Sequence, residues 1–140
     1  MSTAIFSLIG LVIGAILQFI FTRHLDSQKY QRELRTKAYT DYLKCVSEHA
    51  NLAQQRESPE GRELSAKTAD TKCRICLYGS SAVIEAFADF ERLGAAMNTQ
   101  KQSLAFTHMV SIMRSDSASK GQATLDNLQT ILLGVPRETT

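Results

Sequence analysis

Residues 4–22 read Ala-Ile-Phe-Ser-Leu-Ile-Gly-Leu-Val-Ile-Gly-Ala-Ile-Leu-Gln-Phe-Ile-Phe-Thr, from Ala4 to Thr22, and no Asp, Glu, Lys or Arg precedes Arg23. About 18 helical residues rise roughly 27 Å, close to the ~30 Å hydrocarbon core of a bilayer. Lipid offers the backbone no hydrogen bonds, so a spanning segment of this kind must be a helix. The expectation is a membrane anchor. A secretory signal peptide would carry a basic n-region and a small-x-small cleavage site. Met1-Ser2-Thr3 has no basic side chain, and the run closes on Gln18-Phe19-Ile20-Phe21-Thr22-Arg23. A helix of a soluble core would show one apolar stripe, whereas this one is apolar on nearly every face.

Flanking charge predicts the orientation. Arg23, Lys29, Arg32, Arg35 and Lys37 follow the run, against Asp26 and Glu33, while the N-terminal flank has no Lys or Arg. The positive-inside rule places the N-terminus outside and everything after Arg23 in the cytoplasm. In a bacterium this is a single-pass inner-membrane protein with a cytosolic domain. The basic residues can touch anionic headgroups, at about 1 kcal/mol each. The plainer reading is that they mark topology and solvate a helix.

The anchor also carries small residues in register. Ser7, Gly10, Gly14 and Gln18 follow one another at i+3 and i+4 steps along one helical stripe. Small residues let two membrane helices approach closely, and a Gln amide can hydrogen-bond across the contact. The stripe therefore predicts a homo-oligomer. The alternatives are that glycine is simply common in membrane helices and that Gln18 hydrogen-bonds headgroups at the interface.

Roughly 120 residues follow the anchor, enough for one modest domain. The net charge is +2, which implies no nucleic-acid partner. The chain has no Trp, two Pro and seven Gly, and helix formers dominate. Alternating strand patterns bounded by turn residues are missing. The reading is all-α: the transmembrane helix continues into a long helix, and a cytosolic bundle of four to five helices follows. The expected divisions are an anchor over 1–22, a basic juxtamembrane helix over 23–37 supported by a Glu33–Lys37 pair, a bundle over 38–134 and a tail over 135–140.

Within the bundle, Tyr39, Tyr42, Val46, His49 and Ala53 recur at helical spacing, with Leu43 and Ala50 beside them, until the pattern ends near Arg56. Ser58-Pro59-Glu60-Gly61 reads as a turn. A helix should start near Pro59 or Glu60 and run to Tyr78, with a stripe of Leu64, Ala66, Ala69, Cys73, Cys76 and Leu77. Its small residues predict a close helix–helix contact. Gly79 offers a left-handed C-cap, and Ser80 or Ser81 an N-cap. The next helix carries Val83, Ile84, Phe87, Phe90, Leu93 and Met97 and should end around Asn98. Another covers about 101–113, with Leu104, Phe106, Met109, Val110, Ile112 and Met113. A last short helix, about 122–133, shows Leu125, Leu128 and Leu132, stopped by Gly134 and Pro136.

Three short stretches give the chain a family likeness: Arg35-Thr36-Lys37-Ala38-Tyr39, Ile75-Cys76-Leu77-Tyr78-Gly79-Ser80-Ser81-Ala82-Val83 and Met113-Arg114-Ser115-Asp116. In these, and in its architecture, the chain resembles a group of uncharacterised bacterial single-pass inner-membrane proteins with a basic juxtamembrane helix and a Leu-Tyr-Gly-Ser-containing cytosolic helical domain. The resemblance covers most of the chain. It implies an architecture and no activity.

Few residues point to chemistry. A Ser hydroxyl in Tyr78-Gly79-Ser80-Ser81 at a helix N-terminus can bind an anion, but no P-loop Lys or Ser/His/Asp order accompanies it; a capped junction explains it better. Arg114 and Asp116 can pair or tie a helix end to a neighbour. Cys45 and His49, four apart, and Cys73 and Cys76, three apart, would converge on a tetrahedral zinc if their helices packed antiparallel. The competing reading is that cysteines sit in helical cores and that His49 is a satisfied core histidine. A redox disulfide fits a cytosolic domain poorly. No metal or other cofactor is favoured. Asp70, Glu85, Asp89 and Glu91 read as a solvated face rather than an acid–base pair, so the chain is not expected to be an enzyme. The expected function is a membrane-anchored interaction or scaffold module that recruits a protein partner or its own copies. The alternative is a small membrane effector, of toxin or phage-defence type, that perturbs the bilayer on oligomerisation; a metal sensor would require the zinc site.

Overall fold

The computed structural model describes residues 2–51, 57–117, 121 and 123–134. Among them are five helices and no strand: α1 (Ser2–Asn51), α2 (Pro59–Tyr78), α3 (Ser81–Arg92), α4 (Gln100–Asp116) and α5 (Leu125–Leu133). The sequence-based ends at Ala53 and Arg56, Gln122, Pro136 and the 135–140 tail lie outside the described residues. The chain divides into two units, Met1–Glu33 and Leu34–Thr140. The boundary falls inside the basic stretch, so Arg35 and Lys37 belong to the second unit.

In the first unit one helix is long and apolar enough to cross a membrane. None of its apolar stretch is buried. Phe6 is 72% exposed and Phe19 65%. An aqueous surface of this kind is unfavourable by about 25 cal/mol per Å² of apolar area.

The second unit has a conventional interior. Its core joins Ala38, Tyr39 and Tyr42 of α1, Ile75 of α2, Val83, Phe87 and Phe90 of α3, and Phe106, Met109 and Met113 of α4. The i, i+3 and i+4 spacings put each set on one helix face. Tyr42 meets Phe87 edge to face with centroids 4.9 Å apart, and Phe90 meets Phe106 at 5.4 Å. Such pairs add about 0.5–1.5 kcal/mol each to the burial of the rings. Helix α3 packs on α4, and α4 on α5. Helix α5 buries no residue fully, and only Leu133 joins the core margin; Leu125 and Leu132 of the expected stripe are exposed.

Helix starts follow side-chain caps. Ser58 accepts from the Gly61 N–H, Ser80 from Val83, Thr99 from Gln102 and Thr124 from Asn127. Gln102 answers Thr99 in a capping box. Helix α2 occupies the span expected from Pro59 to Tyr78. Helix α4 extends beyond the expected Met113 to Asp116, and α5 starts at Leu125.

Four sequence expectations change. Helix α3 stops at Arg92 rather than near Asn98, because Gly94 (φ +93°) and Ala95 (φ +49°) turn the chain. The Ala95 N–H donates to the Phe90 carbonyl and the Gly94 N–H to Glu91, the paired bonds of a Schellman stop. Met97 still packs on the core from the loop. The second change concerns α2, whose predicted stripe, Leu64 apart, faces outward. Gly61, Leu64, Thr71 and Ile75 are buried, whereas Ala66, Ala69, Cys73, Cys76 and Leu77 are exposed, Leu77 at 74%. Threonine can take the inner face here because Thr68 donates to the Leu64 carbonyl and Thr71 to the Thr68 carbonyl. The expected close contact through the small residues is therefore absent within the described chain. Third, Lys37 pairs forward with Asp41 at 3.4 Å rather than back with Glu33. Asp41 is also held by Arg74 of α2 at 2.8 Å.

Last, Gly79 is not left-handed. Its φ of −63° and ψ of 149° are extended, and its N–H donates to Ile75 O at 2.7 Å. Space restricts this position: a Cβ on Gly79 would stand 2.5 Å from the Ile75 carbonyl oxygen. That oxygen is backbone and cannot swing aside. Gly79→Ala is expected to destabilise the domain by about 1–3 kcal/mol through overpacking, read as a lower unfolding midpoint of the full chain in detergent. An unchanged midpoint would show that the junction relaxes freely.

Candidate functional site

The anchor stripe is open on its own helix. A Cβ built at Gly10 or Gly14 meets nothing within 4 Å, and Ser7 and Gln18 are exposed. A second helix would meet no obstruction from side chains of this stripe.

The five juxtamembrane basic residues divide into two groups. Arg23, Lys29 and Arg32 are exposed and make no ion pair among the described residues. Lys37 pairs with Asp41 as above. Arg35 enters a polar node in the second unit. Its Nε donates to the Tyr78 carbonyl at 2.7 Å, and its guanidinium stands 3.5 Å from the Asp116 carboxylate. Tyr39 donates its hydroxyl proton to the other Asp116 oxygen at 2.6 Å. The same phenol oxygen accepts from the Ser80 N–H at 3.3 Å. Three stretches far apart in the sequence thus meet at one place: Arg35 and Tyr39 from α1, the Tyr78–Ser80 junction, and the last turn of α4.

Sequence reading placed Tyr39 on an apolar stripe and missed the role of its hydroxyl. The available signal was Asp116, since a carboxylate in the last turn of a helix opposes the dipole and requires a partner. Of the pair expected to tie that helix end, Asp116 does so, while Arg114 donates to the Gly121 carbonyl at 2.7 Å. Ser80 serves as the cap at this junction, its hydroxyl accepting from Val83 N–H at 3.4 Å.

Burial, and then the bond to Asp116, push the Tyr39 phenol up to about 12. Burial raises Tyr42 as well. Neither group is placed to move a proton near neutral pH.

The four residues considered for zinc do not gather. Among the described residues no group of three or more His, Cys, Asp or Glu can hold a metal ion. Cys45 is buried, while Cys73 and Cys76 are exposed. His49 Nε2 lies 3.0 Å from Thr68 Oγ1. Because Thr68 gives its own proton to Leu64 O, Nε2 of His49 is assigned as the protonated donor, which leaves it no lone pair for a metal.

A groove of about 230 Å³ runs between α1 and α2 of the second unit, over Cys45 and Thr71. Its rim is charged but internally matched: Arg74 binds Asp41 and Asp70, and Lys44 faces Glu48 at 3.9 Å. Arg74 is the main reason that the Asp41 carboxyl lies below the usual carboxylate range. Elsewhere Lys72 of α2 reaches Glu91 of α3 at 2.7 Å. That Glu91 oxygen is shielded from solvent and makes no well-aligned hydrogen bond, so the ammonium balances it mainly by charge. The acids read from sequence as a solvated face thus include one that links two helices.

Comparison of the chain with protein-family models, with curated proteins and with solved structures finds no match.

The node makes two linked predictions. Tyr39→Phe removes the proton that Asp116 accepts and the oxygen that Ser80 N–H uses, at an expected cost of about 1–3 kcal/mol. The fold favours the neutral phenol, with a pKa raised from 10.0 to about 12. The stability this shift contributes is therefore complete below pH 10 and is lost as pH rises from about 10 to about 12. Thermal unfolding followed by circular dichroism should show wild type ahead of Tyr39→Phe at pH 8 and the gap narrowing above pH 10. A gap independent of pH over that range would refute the role given to the hydroxyl.

Proposed function

We propose that this chain is a non-enzymatic, single-pass membrane anchor carrying a helical interaction module. The observation that carries this reading is the apolar helix near the N-terminus with none of its apolar stretch buried. A bilayer is the solvent that such a surface suits. The flanking charges favour an N-terminus outside and the helical bundle on the cytoplasmic side, in a bacterial inner membrane as the family likeness implies. Arg23, Lys29 and Arg32, which form no ion pair among the described residues, are available to the headgroup region.

On this reading the module works by confinement. An anchor that holds copies in one membrane raises their effective concentration without new contacts. The Ser7, Gly10, Gly14 and Gln18 stripe favours self-association, because both glycines present open backbone. The bundle then recruits a protein partner or further copies. No cofactor and no nucleic acid enter this reading. The same open stripe also favours a second one, an effector whose clustered helices perturb the bilayer. One span without charge in its apolar run makes a poor aqueous pore, so recruitment is preferred.

The test is the mass of the full-length protein in nanodiscs, beside Gly10→Ile/Gly14→Ile. Wild type is expected to be oligomeric and the double variant monomeric, with both retained in alkali-washed membranes. Equal oligomeric states would remove the stripe from the mechanism and leave the helix as an anchor. Release of the protein by the alkaline wash would overturn the anchor itself. Dye leakage from vesicles by wild type, lost in the double variant, would move the reading to the effector.

A further inference from the structure

The exposed face of α2 holds two thiols that no packing argument explains. Cysteine is among the residues most often buried. Cys45 follows that rule, yet Cys73 and Cys76 both lie in solvent, three residues apart on one helix. They sit opposite the buried Gly61, Leu64, Thr71 and Ile75. Ala66, Ala69 and Leu77 share that face, and the nearest charged neighbours, Asp70 and Lys72, are held by Arg74 and Glu91.

The geometry points to a two-thiolate site at Cys73 and Cys76 for a soft cation of low coordination number, with Cu(I) as the ion of that class. Residues three apart on a helix have Cβ atoms about 5–6 Å apart on the same surface. A thiolate–metal bond is about 2.3 Å, so two sulfurs on opposite sides of one ion stand at most about 4.6 Å apart, which that Cβ spacing accommodates. The α2 backbone fixes the pair beforehand, and only side-chain torsions need to settle on binding.

The chemistry of the face selects the ion. Soft thiolates favour Cu(I) and zinc. Zinc takes four ligands in a closed site, and here there are two. Cys45 is buried and His49 is turned to Thr68, so neither completes a zinc shell. A two-coordinate ion needs no third donor. Binding converts two thiols to thiolates and releases two protons, leaving a bis-thiolate Cu(I) complex of net charge −1 with no change of oxidation state.

The experiment titrates the reduced full-length protein in detergent with Cu(I), without oxygen, against a chromogenic Cu(I) chelator. Wild type is expected to take one ion per chain. Cys73→Ser and Cys76→Ser should each bind at least tenfold more weakly, and Cu(I) should protect both thiols of wild type from iodoacetamide. Zinc should bind no more tightly to wild type than to Cys73→Ser/Cys76→Ser. Both substitutions are on solvent-exposed positions, and a circular dichroism melt matching wild type confirms that each variant is folded. Cu(I) affinity of wild type equal to that of the double variant would overturn the site. One ion per two chains would also overturn it, in favour of a bridge between copies. The titration is independent of membrane side and oligomeric state, so its failure leaves the anchor reading untouched.

Discussion

A carboxylate in the last turn of a helix faces the negative pole of that helix and gains nothing from it. Asp116 occupies such a position, and the second unit is arranged to satisfy it. Tyr39 supplies a proton at 2.6 Å and Arg35 a positive charge at 3.5 Å. The same two side chains hold the junction between α2 and α3, through the Tyr78 carbonyl and the Ser80 N–H. One polar node therefore fixes the register of α1 against both the α2–α3 turn and the end of α4. Apolar packing of Tyr42 on Phe87 and of Phe90 on Phe106 supplies much of the attraction. The node restricts which arrangement of those faces is allowed, because an apolar slide that breaks it leaves a carboxylate and an N–H without partners.

The two units meet opposite solvent problems. In residues 6–33 the backbone is satisfied within the helix and the side chains are outward and, as far as Thr22, almost wholly apolar. In the second unit the large apolar groups of the core turn inward, and buried hydroxyls bond locally, as Thr107 does to Ser103 O at 2.9 Å. Gly79 leaves little room for a side chain. The chain leaves α2 and enters α3 through two residues, and the Ile75 carbonyl stands where a Cβ would be.

Much of this fold is legible in the sequence for local reasons. Pro59 after Ser58, and Ser80 after Gly79, mark helix boundaries through backbone chemistry that acts over three or four residues. The Tyr39–Tyr42 and Val83–Phe90 faces are legible because large apolar residues recur at helical spacing. The inner face of α2 was not. Ala, Cys and Leu read as apolar in a pattern and Thr and Gly do not, yet threonine hydroxyls that bond to the preceding turn bury well, and Ile75 alone brings α2 into the main core. The end of α3 was missed because Leu93 and Met97 continue the apolar pattern past Gly94, and a positive φ outranks pattern. The node was not legible either, because it depends on residues 41 to 81 positions apart in the sequence. Each of its stretches stood out alone, but nothing local says that Tyr39 meets Asp116. The cysteines of the zinc alternative are parted by rotation about the α2 axis: the spacing suits a shared site, but Cys73 and Cys76 face outward while Cys45 is buried.

The node also bears on how the basic stretch acts. In the folded chain Arg35 and Lys37 are engaged with Asp116 and Asp41, which leaves Arg23, Lys29 and Arg32 as the juxtamembrane cations with no ion pair among the described residues. A charge count made on the folded structure would thus weaken the topological signal. Orientation in a membrane is set by Lys and Arg near the span, with acidic residues counting little, and it is set on a chain whose distal helices have yet to pack. Asp116 lies at the end of α4, so at that stage Arg35 has no partner from it. On the proposed orientation all five basic residues act in insertion, and Arg35 is later taken into the fold. On that orientation one residue serves two steps separated in time: at insertion it is a positive charge near the span, and in the folded chain it binds the Tyr78 carbonyl and the Asp116 carboxylate.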